Sequence, residues 1–379
     1  MMAGALELKK GVYAVGALDP DLPEFDEALT PYGTTYNSYL VVDEQVTLID
    51  FVRANFAAEL LENIASIIGD RLIDNIIVNH CEPDHSGALP AIVKAYPAAQ
   101  LYGTANAQKA LAAYYPDSTY TFNVVGEGDK LDTGELTFHF IPMPMVHWPD
   151  SMSSYLPARK ILFSNDALGQ HIGSGERIDT EVAKEKLMDC AQNYYANIVM
   201  PWGMQVTKLL GQVAQIEVDM VCPSHGVVLT TFLPDIIAAY ARWASGATDG
   251  HQVTIVYDSM WGSTAEIAEK LREEYEASKH HVNVFSLADT HYSVVIGDLI
   301  ESRYIFVGSS TRYNHMLPSV AGFLSYLEGL KPKDRVGLAF GAYGWSGESV
   351  DDIAAALSSM GFEMKDPIKV QWRMAPEHN

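Results

Sequence analysis

The chain has few cysteines. Its 379 residues include only three, Cys81, Cys190 and Cys222, and no two of them form a C-x-x-C pair. A disulfide framework is therefore not expected, which fits a reducing compartment. Iron–sulfur clusters and rubredoxin-type iron sites need four cysteines, so neither is expected within this chain.

Long apolar runs are also absent. No run reaches the length of about 18 residues that a membrane span requires. Residues 1–10 lack the charged start and the apolar core of a secretory signal. We therefore expect a cytoplasmic protein that makes no use of a membrane.

Positive charge is scarce. The chain has 25 lysines and arginines against 48 aspartates and glutamates, which gives a net charge of −23. Nucleic acids and anionic membrane surfaces repel such a protein and are not expected as partners. The length exceeds what one ordinary hydrophobic core holds, so two domains are expected.

The first part of the chain mixes strands and helices without regular alternation. Runs rich in β-branched residues predict strands at residues 37–42, 45–51 and 136–142, whereas the spacing of leucine and isoleucine predicts a helix at 57–68. This pattern is typical of two packed sheets flanked by helices.

The pattern changes after a small, polar stretch, Ser245–Gly250, which we interpret as a linker. Beyond it, predicted strands at 253–258, 282–287, 304–308 and 337–340 alternate with helices. Regular β–α alternation predicts a doubly wound parallel sheet.

The segment His80-Cys81-Glu82-Pro83-Asp84-His85 carries four possible metal ligands in six residues. It follows an apolar run that predicts a strand, so the ligands lie on a loop with a fixed anchor. Glu82 stands where a zinc hydrolase with this layout would have a histidine. A hard carboxylate favours iron over zinc and stabilises the ferric state, so the motif indicates redox chemistry rather than hydrolysis.

Three more candidate ligands follow predicted strands in the same part of the chain. Loops at strand ends gather at one rim of a sheet, so we expect these side chains to join the first motif. We predict no catalytic residue beyond the metal ligands, which are His80, Glu82, Asp84, His85, His147, Asp166 and His225. His171 is interpreted as a supporting or structural residue, and Cys81 as a packing residue.

Three loops follow successive strands of the predicted parallel sheet. The first precedes a helix and has small hydroxyl side chains, but it lacks the lysine of a nucleoside triphosphate site, so a monophosphate fits better. The other two add backbone donors and aromatic rings that could stack on a flat ring, at the sheet edge where such folds bind ligands. They indicate a flavin mononucleotide (FMN) site formed by Ser259, Met260, Trp261, Gly262, Ser263, Thr264, Ser309, Ser310, Thr311, Arg312, Tyr313, Asn314, Ala342, Tyr343, Gly344, Trp345, Ser346 and Gly347.

With these motifs, nearly the whole chain resembles the flavodiiron proteins, also called A-type flavoproteins. The resemblance implies a two-domain α/β and α+β fold. A metallo-β-lactamase-like αββα sandwich would occupy residues 1–248, and a flavodoxin-like doubly wound sheet would occupy 251–379. The second flavin loop departs from the family's Ser-Pro-Thr-x-Asn-Asn, because this chain has Ser-Ser-Thr-Arg-Tyr-Asn at 309–314.

The resemblance also implies a cofactor set and an activity. One iron would be held by His80, Glu82 and His147, and the other by Asp84, His85 and His225, with Asp166 bridging the two. The family reduces dioxygen to water, nitric oxide to nitrous oxide, or both. Electrons from an external donor, rubredoxin or a reduced deazaflavin coenzyme, would pass through FMN to the irons of the partner subunit in a head-to-tail homodimer or a dimer of dimers.

Two other functions remain open on the residues alone. A zinc hydrolase on the same scaffold would use zinc-bound hydroxide, although Glu82 and the flavin loops argue against it. A non-enzymatic electron carrier with a degenerate metal domain is the second, although such a domain would normally have lost a ligand. Trp148, next to His147, has two possible roles as well: electron transfer between flavin and irons, or packing at a subunit interface.

Overall fold

The computed structural model describes residues 4–374. Contacts divide the chain into two compact units. The first holds most residues up to 241, and the second holds residues 27–29, 196–203 and the described residues from 242 onwards. The boundary at 248–251 stays a prediction. A strand begins at Asp249, so the end of the predicted linker is strand rather than coil. No helix among residues 4–374 is both long and apolar enough to span a bilayer.

Within residues 4–224, the structure has sixteen strands. They are β1 (Leu6–Lys9), β2 (Val12–Ala14), β3 (Ala17–Asp19), β4 (Glu24–Phe25), β5 (Ala28–Leu29), β6 (Thr34–Tyr36), β7 (Tyr39–Val42), β8 (Val46–Ile49), β9 (Asn75–Ile77), β10 (Gln100–Gly103), β11 (Thr121–Val124), β12 (Lys130–Asp132), β13 (Thr137–Pro142), β14 (Met152–Leu156), β15 (Ile161–Asn165) and β16 (Met220–Pro223).

Seven helices accompany these strands. They are α1 (Ala57–Ile68), α2 (Pro83–Ser86), α3 (Leu89–Ala95), α4 (Ala105–Tyr114), α5 (Lys184–Tyr194), α6 (Gly203–Val213) and α7 (Leu233–Ala244). The helix α1 has the predicted bounds, and it buries Leu60, Ile64 and Ile68, which share one face at helical spacing.

The first unit contains two facing sheets. One has seven strands in the order β1-β2-β7-β8-β9-β10-β11, and the other has five in the order β12-β13-β14-β15-β16. Successive strand residues point to opposite faces. Thus Ile77 packs between the sheets with Phe138, whereas its neighbour Ile76 packs on the outer side with Leu60 of α1. The predicted sandwich of two sheets flanked by helices is confirmed.

The second unit alternates strands and helices. Its elements are β17 (Asp249–Asp258), α8 (Ser263–Ala277), β18 (His281–Ser286), α9 (Tyr292–Leu299), β19 (Ser302–Ser309), α10 (Pro318–Leu330), β20 (Val336–Tyr343), α11 (Glu348–Ser359), β21 (Glu363–Met364) and β22 (Ile368–Gln371). All strand pairs are parallel, in the order β18-β17-β19-β20, and β21 and β22 both pair with β20. The doubly wound parallel sheet is confirmed.

Candidate metal centre and cofactor cavity

The seven predicted metal ligands all follow strand ends in the first unit. The loop after β9 and the short helix α2 carry four of them, and the loops after β13, β15 and β16 carry one each. Strands β13, β15 and β16 run in the same direction, so their carboxyl ends share one rim of the five-stranded sheet. Side chains far apart in sequence therefore meet there.

His80, Glu82 and His147 form the first group. The Oε2 atom of Glu82 lies 3.2 Å from Nε2 of both histidines. The Oδ2 atom of Asp166 lies 3.5 Å from Nε2 of His80 and 3.4 Å from Nε2 of His147. The four side chains place one ligand atom each around a common point, as a metal ion requires.

Asp84, His85 and His225 form the second group. The Oδ2 atom of Asp84 lies 2.9 Å from Nε2 of His85 and 3.2 Å from Nε2 of His225. The Oδ1 atom of Asp166 lies 3.0 Å from Nε2 of His85. The two oxygens of Asp166 therefore face different groups, which is the arrangement of a carboxylate that bridges two ions.

Electrostatics in the two groups is dominated by ion-pair contacts at buried positions. Burial disfavours the charge on His80 and His147, but hydrogen bonds with carboxylates outweigh it and raise the pKa of His80 to about 10 and that of His147 to about 9. Burial would raise the pKa of Asp166, yet the charge of His85 holds it well below its usual range. The raised pKa values of His80 and His147 mean that protons on these two rings balance part of the carboxylate charge until a metal displaces them.

Several buried polar atoms in this centre lack a partner. In residues 4–374, no hydrogen bond reaches Oδ1 of Asp84, Nδ1 of His85 or Oδ2 of Asp166. Unpaired buried polar atoms are costly, so each needs an explanation such as an ion. Imidazole nitrogens with hard carboxylate oxygens suit iron. The residues present therefore fit two iron ions.

Asp150 supports the first group, and the sequence analysis missed it. Its Oδ2 atom lies 2.9 Å from Nδ1 of His80 and accepts a hydrogen bond of 2.8 Å from the backbone N–H of Cys81. This contact leaves Nε2 of His80 free to bind a metal, because the ring donates through Nδ1. The signal was present, since Asp150 is the third residue after His147 and carries a carboxylate on the same loop.

His225 is oriented in the same way by backbone. Its Nδ1 lies 2.7 Å from the carbonyl oxygen of Thr35 and donates to it. The next residue, Gly226, has φ of +84°, and a Cβ there would lie 2.0 Å from the side-chain oxygen of Gln170. Only glycine fits this close approach to Gln170, and the backbone position next to it lets His225 reach the carbonyl of Thr35 in β6.

Three other residues singled out in the sequence lie beside the ligands. His171 is outside both groups. Its Nδ1 is 2.8 Å from Oγ1 of Thr34, and its ring packs 5.3 Å from that of His225, as a supporting residue would. Cys81 is fully buried in the outer core, although its thiol lies near His80 and Asp150. Trp148 packs edge-on against His80 with ring centres 5.2 Å apart, which leaves both of its possible roles open.

The second unit has an open cavity of about 580 Å³ at the carboxyl ends of β17, β19 and β20. Four of its aromatic side chains are strongly exposed: Trp261 at 89%, Tyr313 at 80%, Trp345 at 87% and Trp372 at 70%. Exposed aromatic faces around one cleft suit a planar ring system. The lining residues are Met260, Trp261, Ser263, Ser310, Thr311, Arg312, Tyr313, Ala342, Tyr343, Gly344, Trp345 and Trp372.

Two hydroxyl residues tie the three loops together. Ser310 accepts a hydrogen bond of 3.2 Å from the N–H of Met260 and lies 3.1 Å from the hydroxyl of Thr264. Thr311 lies 2.7 Å from the hydroxyl of Ser349, and its N–H donates to the carbonyl of Ala342. The second loop is thus bonded to the first and the third, although it departs from the family's usual residues.

Some predicted flavin residues do not line the cavity. Ser309 is fully buried, and its hydroxyl accepts a hydrogen bond from the N–H of Leu317, so its side chain supports the loop. The others outside the lining are Ser259, Gly262, Thr264, Asn314, Ser346 and Gly347. Trp372, which does line it, was missed because it follows the short strand β22, where no glycine-rich or hydroxyl-rich loop marks a site.

The start of α8 lies at this cavity. Gly262 precedes the helix with φ of +88°, and no described side chain caps the first turn. The free N–H groups and the helix dipole attract an anion such as a phosphate. Aromatic walls with an anion site at one end fit FMN.

Comparisons with known proteins match both parts of the chain. Residues 34–226 match the model of the ODP family beta lactamase, and residues 255–378 match that of flavodoxin. The chain is 38% identical to a nitric oxide reductase of Moorella thermoacetica, over 98% of this chain and 94% of the relative. It is 37% identical to the rubredoxin-oxygen oxidoreductase of Megalodesulfovibrio gigas, over 97% of this chain and 92% of that protein.

A solved structure shares the fold over nearly the whole chain. The flavodiiron protein from Giardia intestinalis superposes with a TM-score of 0.96 at 32% identity, and the match covers 99% of this chain and 93% of the other. The identity and the coverage both extend through the metal-binding and the flavodoxin parts. The chain therefore belongs to the flavodiiron protein family.

Proposed function

We propose that this protein reduces dioxygen to water, nitric oxide to nitrous oxide, or both, with electrons from an external donor. The printed names of its relatives, nitric oxide reductase and rubredoxin-oxygen oxidoreductase, support both reactions. A zinc-dependent hydrolase is not favoured, because a flavodoxin part follows the metal-binding part in the chain and Glu82 replaces the expected histidine.

The observation that carries this proposal is the position of Asp166. Its two carboxylate oxygens face two separate groups of ligands. We assign His80, Glu82 and His147 to one iron, Asp84, His85 and His225 to the other, and Asp166 to both. This division is the same one that the family resemblance implies.

When bound, the iron pair supplies a site for a diatomic gas together with several electrons, and FMN stores the electrons that the donor delivers. The chain's own residues prepare that site. Asp150 and the carbonyl of Thr35 fix the two histidine rings that they contact, so Nε2 of each points inward. Five of the ligands are buried, and Glu82 and His147 are partly exposed, so water reaches the centre from the side of these two residues only to a limited extent.

We assign the iron-binding role to residues 1–248 and the FMN-binding role to 251–379. In the second part, the start of α8 would hold the phosphate and the aromatic walls would hold the ring, with the predicted residues of the three loops supplying backbone and hydroxyl contacts. Trp372 is added to that set.

The electron donor and the assembly are further parts of the proposal. The name of one relative, rubredoxin-oxygen oxidoreductase, supports rubredoxin as the donor. We infer rubredoxin, with a reduced deazaflavin coenzyme as the other donor to test. We also infer a cytoplasmic, head-to-tail homodimer, alone or as a dimer of dimers, in which each subunit's flavin serves its partner's irons.

The decisive experiment measures gas consumption by anaerobically purified protein loaded with iron and FMN. Reduced rubredoxin supplies electrons, and dioxygen and nitric oxide are added in separate electrode runs. Fast loss of one gas identifies the preferred substrate. If neither gas is consumed with rubredoxin, with deazaflavin or with a chemical reductant, the proposed function is wrong. Zinc in place of iron in the purified protein would contradict it equally.

The dimer requires its own test. Serial dilution, with mass photometry at each concentration, should show turnover with the external donor disappearing as the dimer dissociates. Turnover with a reductant that reaches the irons directly should survive dilution, which controls for loss of cofactors. Full donor-dependent activity in a demonstrated monomer would contradict the head-to-tail arrangement.

A further inference from the structure

The flavin cavity holds one charged side chain. Its described lining consists of aromatic, small polar and aliphatic residues together with Arg312. The chain as a whole carries a net charge of −23. A lone cation therefore lies in the cavity where a redox cofactor binds, within a strongly acidic protein.

The loop that carries Arg312 is rigidly built. The N–H of Arg312 donates to the carbonyl of His315 at 2.9 Å, and the N–H of His315 donates to the carbonyl of Arg312 at 3.0 Å. Between them, Tyr313 and Asn314 have φ of +51° and +65°, the signature of a type I′ turn. His315 in turn lies 3.1 Å from Oδ2 of Asp352 on α11. Arg312 is thus presented by a tight turn anchored to a helix.

The charge of Arg312 is not neutralised by a carboxylate. Its guanidinium lies 4.9 Å from the centre of the Tyr313 ring, and no described acid forms an ion pair with it. At least two other arginines of this unit do pair with acids. Arg272 pairs with Glu269, and Arg303 pairs with Glu363 at 3.4 Å. An arginine stacked on an aromatic ring keeps its full positive charge available to a ligand.

We propose that Arg312 raises the reduction potential of the bound flavin by stabilising its reduced, anionic form. The inference rests on the proposed function, because it requires FMN in this cavity. Oxidised FMN takes up two electrons from the external donor and one proton from solvent, so the reduced flavin carries one more negative charge. A fixed cation nearby favours the more negative form by Coulomb attraction. The N–H groups at the start of α8, next to the first loop, would bind the phosphate. Arg312 lies on the second loop and is therefore assigned to the flavin ring.

The test compares R312Q and R312K with the wild type and with R303Q. Arg303 is the second residue of the strand β19, which ends just before the Arg312 loop, so R303Q removes the same charge near the opposite end of that strand. Each protein is loaded with FMN, and its potential is measured spectroelectrochemically against a reference dye. Dissociation constants for FMN and for riboflavin are measured by fluorescence.

R312Q should lower the ratio of affinities for reduced over oxidised FMN roughly three- to tenfold, and a tenfold change is about 30 mV for a two-electron couple. The reduction potential of R312K should stay near that of the wild type, and the potential of R303Q should equal it. Equal potentials in R312Q and wild type would overturn the inference. In that case, weaker FMN binding with unchanged riboflavin binding would show a phosphate contact instead. Failure of the wild type to bind FMN would overturn the proposed function itself.

Discussion

The two sites of this molecule are built in opposite ways. The metal centre is largely buried, and every predicted ligand there carries a carboxylate or an imidazole. The flavin cavity is open, lined by exposed aromatic rings and small polar groups, and has one cation. The first brings together loops separated by as many as 145 residues, from His80 to His225, whereas the second uses three loops of one regular sheet together with Trp372.

This difference separates two ways of preparing a cofactor site. Buried charges must be balanced, so the metal centre is complete only with ions or with protons in their place. The flavin cavity exposes mainly rings, hydroxyls and backbone N–H groups, which water can satisfy. We therefore expect the metal centre to respond to single charge changes far more strongly than the flavin cavity does.

The largest effect should come from Asp166→Asn. The change removes the one carboxylate that faces both ligand groups, so iron affinity should fall by more than about a hundredfold. Iron per chain is measured by elemental analysis, and FMN content should not change. Asp132→Asn, an exposed position on β12, is the matched control. Full iron content in Asp166→Asn would refute the bridging role.

The second largest effect should come from competition between protons and iron for the histidine ligands. The raised pKa values of His80, about 10, and His147, about 9, mean that both rings hold protons at neutral pH until iron displaces them. Iron affinity should therefore fall as the pH is lowered, by about tenfold per pH unit for each proton displaced. Anaerobic iron titrations at several pH values measure this dependence. An affinity independent of pH between 6 and 8 would contradict it.

A smaller loss is expected for Asp150→Asn. The amide weakens the contact with Nδ1 of His80, so the ring is held less firmly, and iron affinity should fall about 10- to 100-fold. The measurement is an iron titration, with the iron absorption spectrum as a second readout of altered ligation. Asp132→Asn again serves as the control, and equal iron affinities in the two variants would show that Asp150 is not a positioning residue.

The smallest effect should come from Ser310→Ala in the flavin cavity. The change removes the acceptor of the Met260 N–H and the contact with Thr264, at a cost of about 1 kcal/mol, so FMN affinity should fall roughly fivefold. Ser359→Ala, an exposed position at the end of α11, is the control. The iron content should stay constant. A parallel loss of iron would show that the two sites do not respond independently.

Much of the fold was accessible from sequence because its patterns are local. The spacing of apolar residues placed α1 with its observed bounds, and β–α alternation indicated the parallel sheet. Element ends were less accessible. The strand β17 begins at Asp249 inside the predicted linker, because its first residue pairs with Ser302, a partner that local composition does not reveal.

The candidate sites show the same limit. Residues that belong to a dense motif or to a loop after a strand were identified, among them the six-residue ligand segment and the three flavin loops. Asp150 and Trp372 were missed, because their roles depend on which distant atoms they approach. Ser309 was included for its place in a loop, yet the fold turns it inward to hold Leu317.

The sequence by itself determined the chemistry of this protein: which donor atoms are present, that a carboxylate takes a histidine's place at Glu82, and that two kinds of unit follow one another. Only the tertiary structure decided how those atoms meet. Three features depend on contacts between distant segments. They are the division of the ligands into two groups around Asp166, the support from Asp150, and the unpaired charge of Arg312 in a cavity whose other described lining residues are uncharged. Such contacts follow from packing of the whole chain, which no local pattern specifies.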